Sequence, residues 1–312
     1  MRTTTLFLVI CLPLLSFAQS IPKLIAKNAT LKQIAIGYTF TEGPAVDFDG
    51  NVYFTDQPNN KILRWSTKGK IEVYMDNAGR ANGLYFDNQG NLLACADEKN
   101  QLWKISPKQE VSVLVNDFDG KRLNGPNDLW VDAKGGIYFT DPFYKRKYWT
   151  HSEKEIAEEN VYYLAPDSKT LTIAATDFVR PNGIIGTPDG KKLYVADINA
   201  NKTYVFSIQA DGSLTNRQLF AEMGSDGMTL DHKGNLYLTG RGVTIFNKKG
   251  KKIGVIKIPE NWTANITFGG ENLSTLFVTA MQSVYTLEMK VRGTRYKPKR
   301  GKKKTMTAPW EQ

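Results

Sequence analysis

A chain of 312 residues with 41% apolar and 11% aromatic side chains can fill a large packed core and is not disordered. Its formal charge of +10 would suggest a nucleic-acid or membrane binder if it were spread over the surface. Nine Lys or Arg fall within Lys290–Lys304, with no acid among them, and Arg2 sits in the leader. The body between is therefore close to neutral, which excludes a broad nucleic-acid face.

Residues 1–18 carry Arg2, an apolar run from Leu6 to Leu15, and then Ser16-Phe17-Ala18. That is the pattern of a signal peptide cleaved after Ala18, and the run is too short to span the roughly 30 Å of a bilayer core. No later stretch could span a membrane either. The mature chain is expected to be exported, either periplasmic or secreted. Cys11 leaves with the leader, so Cys95, in the apolar run Leu92-Leu93-Ala94-Cys95, is read as a buried inert thiol without a disulfide partner. Residues 19–289 form the body, and 290–312 a basic tail that could contact anionic surfaces.

Within the body one pattern recurs: a polar residue, usually followed by Gly, then an apolar run, an Asp-x-x-Gly type turn and a second apolar strand. Six copies begin at Glu42, Asn82, Asn127, Asn182, Asp226 and Asn265, with steps of 40, 45, 55, 44 and 39 residues. Each copy continues with two more β-branched, alternating strands. A period near 40 to 50 with four short strands predicts an all-β fold, a six-bladed β-propeller of four-stranded blades around a central channel. The longest step contains an insertion, Lys145 to Glu159, in which Ser152 and Glu155 suggest a short helix and a lid. Ring closure needs a partner strand, and Leu24–Tyr38 is expected to supply it to the last blade.

The six repeat-opening residues fall before the innermost strands, so the fold predicts a ring of oxygen donors converging on the axis. Asn-Gly and Asp-Gly pairs are also common turn punctuation, and each pair alone would be read that way. The return of the polar residue at one phase of every repeat favours the ring. Two carboxylates and four amides suit one divalent cation, Ca²⁺ foremost. Mg²⁺ demands tighter octahedral geometry and Zn²⁺ normally recruits His or Cys, although Mg²⁺, Mn²⁺ or Zn²⁺ could support activity. His151 and His232 are read as surface histidines.

The motifs Thr41-Glu42-Gly43-Pro44, Gly125-Pro126-Asn127-Asp128, Arg180-Pro181-Asn182-Gly183 and Ser225-Asp226-Gly227-Met228 together resemble the gluconolactonase family, also called the senescence marker protein or regucalcin family, over about Thr39 to Glu288. The resemblance implies metal ligands at Glu42, Asn182 and Asp226. It makes Asn127 a further ligand or a substrate contact, a role Asp128 could share. Animal members place an Arg for sugar recognition where this chain has Gly125. The implied activity is hydrolysis of a small-molecule lactone: the cation polarises the carbonyl, Asp226 is the general base toward water, Glu42 is a ligand only, and Asn82 orients the substrate. Phe143, Tyr144, Tyr148 and Trp149 could wall the pocket. Two other readings stay open on sequence alone, a non-catalytic calcium-stabilised binding propeller and a phosphotriesterase-type hydrolase on the same scaffold.

Overall fold

Each repeat folds as one antiparallel four-stranded meander. In the computed structural model, which describes residues 23–294, blade 1 comprises Thr41–Val46, Val52–Asp56, Lys61–Trp65 and Ile71–Asp76, and blade 2 comprises Ala81–Phe86, Leu92–Ala96, Gln101–Ile105 and Val111–Val115. Blades 3, 4 and 5 open with inner strands Leu129–Val131, Pro181–Gly186 and Met228–Leu230, and each is completed by the next three strands in sequence. The leader and residues 295–312 of the tail lie outside the described residues. The first tail residues are bound to the body, since Lys290 N–H donates to the Leu24 carbonyl at 2.6 Å and Gly293 N–H to that of Leu273 at 2.8 Å. Among the described residues no helix is long and apolar enough to cross a membrane.

Blade 6 closes the ring as expected. Its three inner strands, Asn265–Gly269, Thr275–Ala280 and Ser283–Glu288, come from the end of the chain, and the fourth, Lys32–Ile36, comes from the beginning. The register pairs Lys32 with Thr286 and Ile36 with Ser283. An open last blade would leave a row of unpaired backbone groups, which this pairing removes.

Neighbouring blades pack through apolar faces, as with Phe54, Leu63 and Trp65 of blade 1 against Phe277 and Val284 of blade 6. They are also latched by hydroxyls. Thr55, Thr140 and Thr239, each near the end of a second strand, donate to the carbonyl oxygens of Asn82 (3.2 Å), Asn182 (2.9 Å) and Ala264 (2.8 Å) in the next blade. The threonine of the recurrent Tyr-Phe-Thr and Tyr-Leu-Thr runs thus satisfies a buried backbone acceptor that faces another blade.

The Asp-x-x-Gly segments are the true turns. Asp87, for example, accepts the N–H groups of Gln89 and Asn91, both at 2.8 Å. Cys95 is fully buried and free, and burial pushes its thiol well above the usual range, in keeping with an inert role. The insertion differs from expectation. It runs from Asp141 to Glu158 without a helix, and Glu159 already belongs to the third strand, Glu159–Leu164. Its polar groups are taken up by ties to the body in place of helical bonds: Glu155 accepts from Arg122 N–H at 2.8 Å, and Trp149 Nε1 donates to the Asp97 carbonyl at 2.8 Å.

Candidate metal centre and active site

The dipeptides that open the repeats lie at the heads of the inner strands, away from the turns, so turn formation does not account for their glycines. Close packing between blades does. A Cβ on Gly43 would stand 2.0 Å from the carbonyl oxygen of Asn82, one on Gly83 2.5 Å from that of Asn127, and one on Gly183 2.7 Å from that of Asp226. The inner strands of blades 1, 2 and 4 thus press against the next blade beside their ring residues.

Asn182 and Asp226 meet directly. Asn182 Nδ2 donates to Asp226 Oδ1 and to the Tyr144 hydroxyl, both at 2.9 Å, which leaves the amide oxygen as its remaining donor atom for a cation. Trp262 Nε1 holds the other carboxylate oxygen of Asp226 at 2.6 Å. Glu42 accepts its own neighbour's amide, Gly43 N–H, at 2.9 Å, and it is close enough to Asp226 and Asp128 to feel their charge. Asp128 takes the phase that glycine holds in four of the other blades, one residue further along the strand. There it accepts Leu129 N–H at 2.9 Å and faces Asn265 Nδ2 of blade 6 at 3.5 Å. Asn82 and Asn127 are buried at the same ring position, and their side chains make no hydrogen bond among the described residues.

Burial is the main cause of the electrostatics here. It pushes the Glu42 carboxyl well above the usual range, with Asp226 adding to the rise, and pushes Asp226 upward against the hydrogen bonds of Trp262 and Asn182. Asp128 is pushed up to about 7 by burial, although Leu129 N–H and Asn265 lower it. No Lys or Arg forms an ion pair with any of the three among the described residues, although the charge of Arg146 reaches Asp226 and lowers it. The fit to a hard divalent cation follows from that donor set, carboxylates and amide oxygens. A site built only from His, Cys, Asp and Glu is not present among the described residues.

Of the aromatic residues proposed from sequence as a wall, Tyr144 touches the ring, while Tyr148 and Trp149 are fastened to Asp97 and Phe143 packs on Trp149 at 5.5 Å. His232 is exposed, but His151 is half-buried and stacked on Trp149 at 4.7 Å, a correction to its reading as a surface residue. Trp262 was missed. It lies three residues ahead of Asn265, so an aromatic in the loop before a ring residue was the available signal.

Fold and site together define a six-bladed propeller with a carboxylate-amide ring at one end of its axis. The chain belongs to the family described as SMP-30/Gluconolactonase/LRE-like region, which matches residues 40–282. It is 29% identical over 308 residues to a gluconolactonase of Zymomonas mobilis, covering 89% of this chain and 86% of that protein. Among solved structures it resembles a gluconolactonase from Xanthomonas campestris, with a TM-score of 0.79 and 29% identity, over 85% of this chain and 91% of the other. A calcium-binding protein, regucalcin, from Agrobacterium tumefaciens shares the fold at a TM-score of 0.73 and 19% identity, over 86% of this chain and 97% of the other.

Proposed function

We propose that the protein hydrolyses a lactone, with one divalent cation, calcium by donor chemistry, held by Glu42, Asn127, Asn182 and Asp226. The observation that carries this reading is the convergence of Asn182, Asp226 and Glu42 in a chain of the gluconolactonase family. When bound, the cation supplies Lewis acidity toward the lactone carbonyl. The chain's own groups do the rest. Asp226, oriented by Asn182 and Trp262, accepts the proton of the attacking water. The water oxygen bonds to the carbonyl carbon, the ring C–O bond breaks, and the proton passes to the departing oxygen, which gives a hydroxy acid. Asn82, Asn127 and Asp128 supply polar contacts for the substrate, and Tyr144 covers the site beside Asn182.

Stripping the protein with chelator is expected to lower lactone turnover by about 100-fold or more, with Ca²⁺, Mg²⁺, Mn²⁺ and Zn²⁺ returned singly to identify the ion that restores it. Calorimetric affinity for that ion should rise with pH, because each carboxyl must lose its proton to bind, and burial sets Asp226 near the upper acidic range at about 6. Full turnover in metal-free protein would reject the metal role. The leader-like pattern over residues 1–18 supports export to the periplasm or medium, and N-terminal sequencing of the exported protein is expected to begin at Gln19.

A further inference from the structure

In four blades an acid closes the second strand or follows it directly, at Asp56, Asp97, Asp141 and Asp197. Three of these carboxylates do one task. Asp56 accepts the backbone N–H groups of Thr39 and Phe40, Asp141 those of Asn124 and Gly125, and Asp197 those of Val179 and Arg180, all in the loop ahead of the ring residue. Asp97 departs from the pattern. In its blade the loop is held by Asn60, whose Oδ1 accepts Arg80 N–H at 2.7 Å. The Asp97 carboxylate, 2% exposed, instead accepts Gln57 Nε2 at 3.2 Å, Arg146 Nε at 3.0 Å and the Tyr148 hydroxyl.

Its release from the loop ties the blade 3 insertion across blade 2 and fixes Arg146. That guanidinium lies 5.2 Å from the centre of the Tyr144 ring, and the Arg180 guanidinium lies 4.8 Å from it. The Tyr144 hydroxyl in turn rests on Asn182. Most donors on these two groups are unused. Among the described residues, Arg146 donates only from Nε, and Arg180 has no side-chain hydrogen bond, only an ion contact with Glu159 at 3.5 Å. Both side chains remain partly open, at 24% and 30% exposure.

We infer that Arg146 and Arg180 form a carboxylate-recognising subsite beside the ring, so that the substrate is a lactone bearing a carboxylate, and that Asp97 is the positioning residue for Arg146. This rests on the lactone-hydrolase reading above. A carboxylate presents two acceptor oxygens and can take hydrogen bonds from both guanidinium forks, whereas a lone hydroxyl would leave most of those donors empty.

The test compares γ-butyrolactone with its 4-carboxylate as substrates of the metal-loaded full protein. Wild type is expected to prefer the carboxylated ring by about tenfold or more in kcat/KM, mostly through KM, since a charge-assisted pair is made in both bound states. Arg146→Gln should reduce that preference on the order of tenfold, Arg146→Lys should retain part of it, and Asp97→Asn should reduce it less than Arg146→Gln. Equal kcat/KM for the two lactones in wild type, or an unchanged preference in Arg146→Gln, overturns the subsite. If neither lactone is turned over, the hydrolase reading fails, and binding of 2-hydroxyglutarate, the ring-opened dicarboxylate, decides the subsite by itself. A Kd raised about tenfold in Arg146→Gln supports it, and equal Kd values overturn it.

Discussion

Asp226→Asn is expected to lower lactone turnover by about 10³-fold while leaving the fold intact. The substitution preserves size and a partner for Trp262 Nε1, but removes the base and one of the ring's charges. Cation affinity should fall with it, because affinity at an oxygen site follows ligand charge. Stability is expected to move the other way in metal-free protein. Burial raises the folded-state value of Asp226 to about 6 from an ordinary 3.8, so the ionised group is costly above that raised value and the cost fades as pH falls toward 3.8. Metal-free Asp226→Asn should therefore melt higher than metal-free wild type at pH 8, and the gap should close near pH 4. Turnover within tenfold of wild type would reject Asp226 as the base, and a lowered melting temperature at pH 8 would reject the charge argument.

Gly43→Ala is expected to be the most damaging single-methyl change at the ring. Its Cβ would stand 2.0 Å from the Asn82 carbonyl oxygen, and its φ of +47 is left-handed. The left-handed backbone alone costs about 1 kcal/mol, and overpacking against a fixed strand adds about 1–3 kcal/mol. For a body of this size that corresponds to a fall of roughly 5–15 °C in Tm. Gly69→Ala is the control. Its φ is +85 but nothing lies within 4 Å of the added Cβ, so only the backbone cost remains. Equal melting losses in the two variants would show that the close approach between blades has been misjudged.

The propeller was legible because its evidence repeats. Six returns of a polar residue, apolar run and turn leave little choice of architecture, and the leading segment as closing strand follows from the need to pair an edge. The ring members were legible for the same reason, since phase equivalence becomes spatial equivalence around an axis. The meaning of the glycines was not, because Asn-Gly looks the same whether it makes a turn or admits a neighbouring strand, and only the 2.0–2.7 Å approaches separate the two. Trp262 and Arg146 escaped because neither repeats, and Asp97 because it shares the position of Asp56, Asp141 and Asp197 but not their partners. Each is a departure from its blade's pattern, and the helix expected near Ser152 failed because Glu155 bonds Arg122 N–H, in the short strand Lys121–Arg122, in place of a helical end.

The pairing of Lys32–Ile36 with Ser283–Glu288 joins opposite ends of the polypeptide in a single sheet. Nearly the entire sequence must be ordered before this last seam can form, so assembly is limited by a contact of very high order and should be slow compared with the folding of any one meander. The same seam is where dismantling would begin. Tension applied at the N-terminal end is delivered to the outer strand Lys32–Ile36, and once that strand peels away the ring loses its cyclic constraint, and the grip on the axis loosens with it.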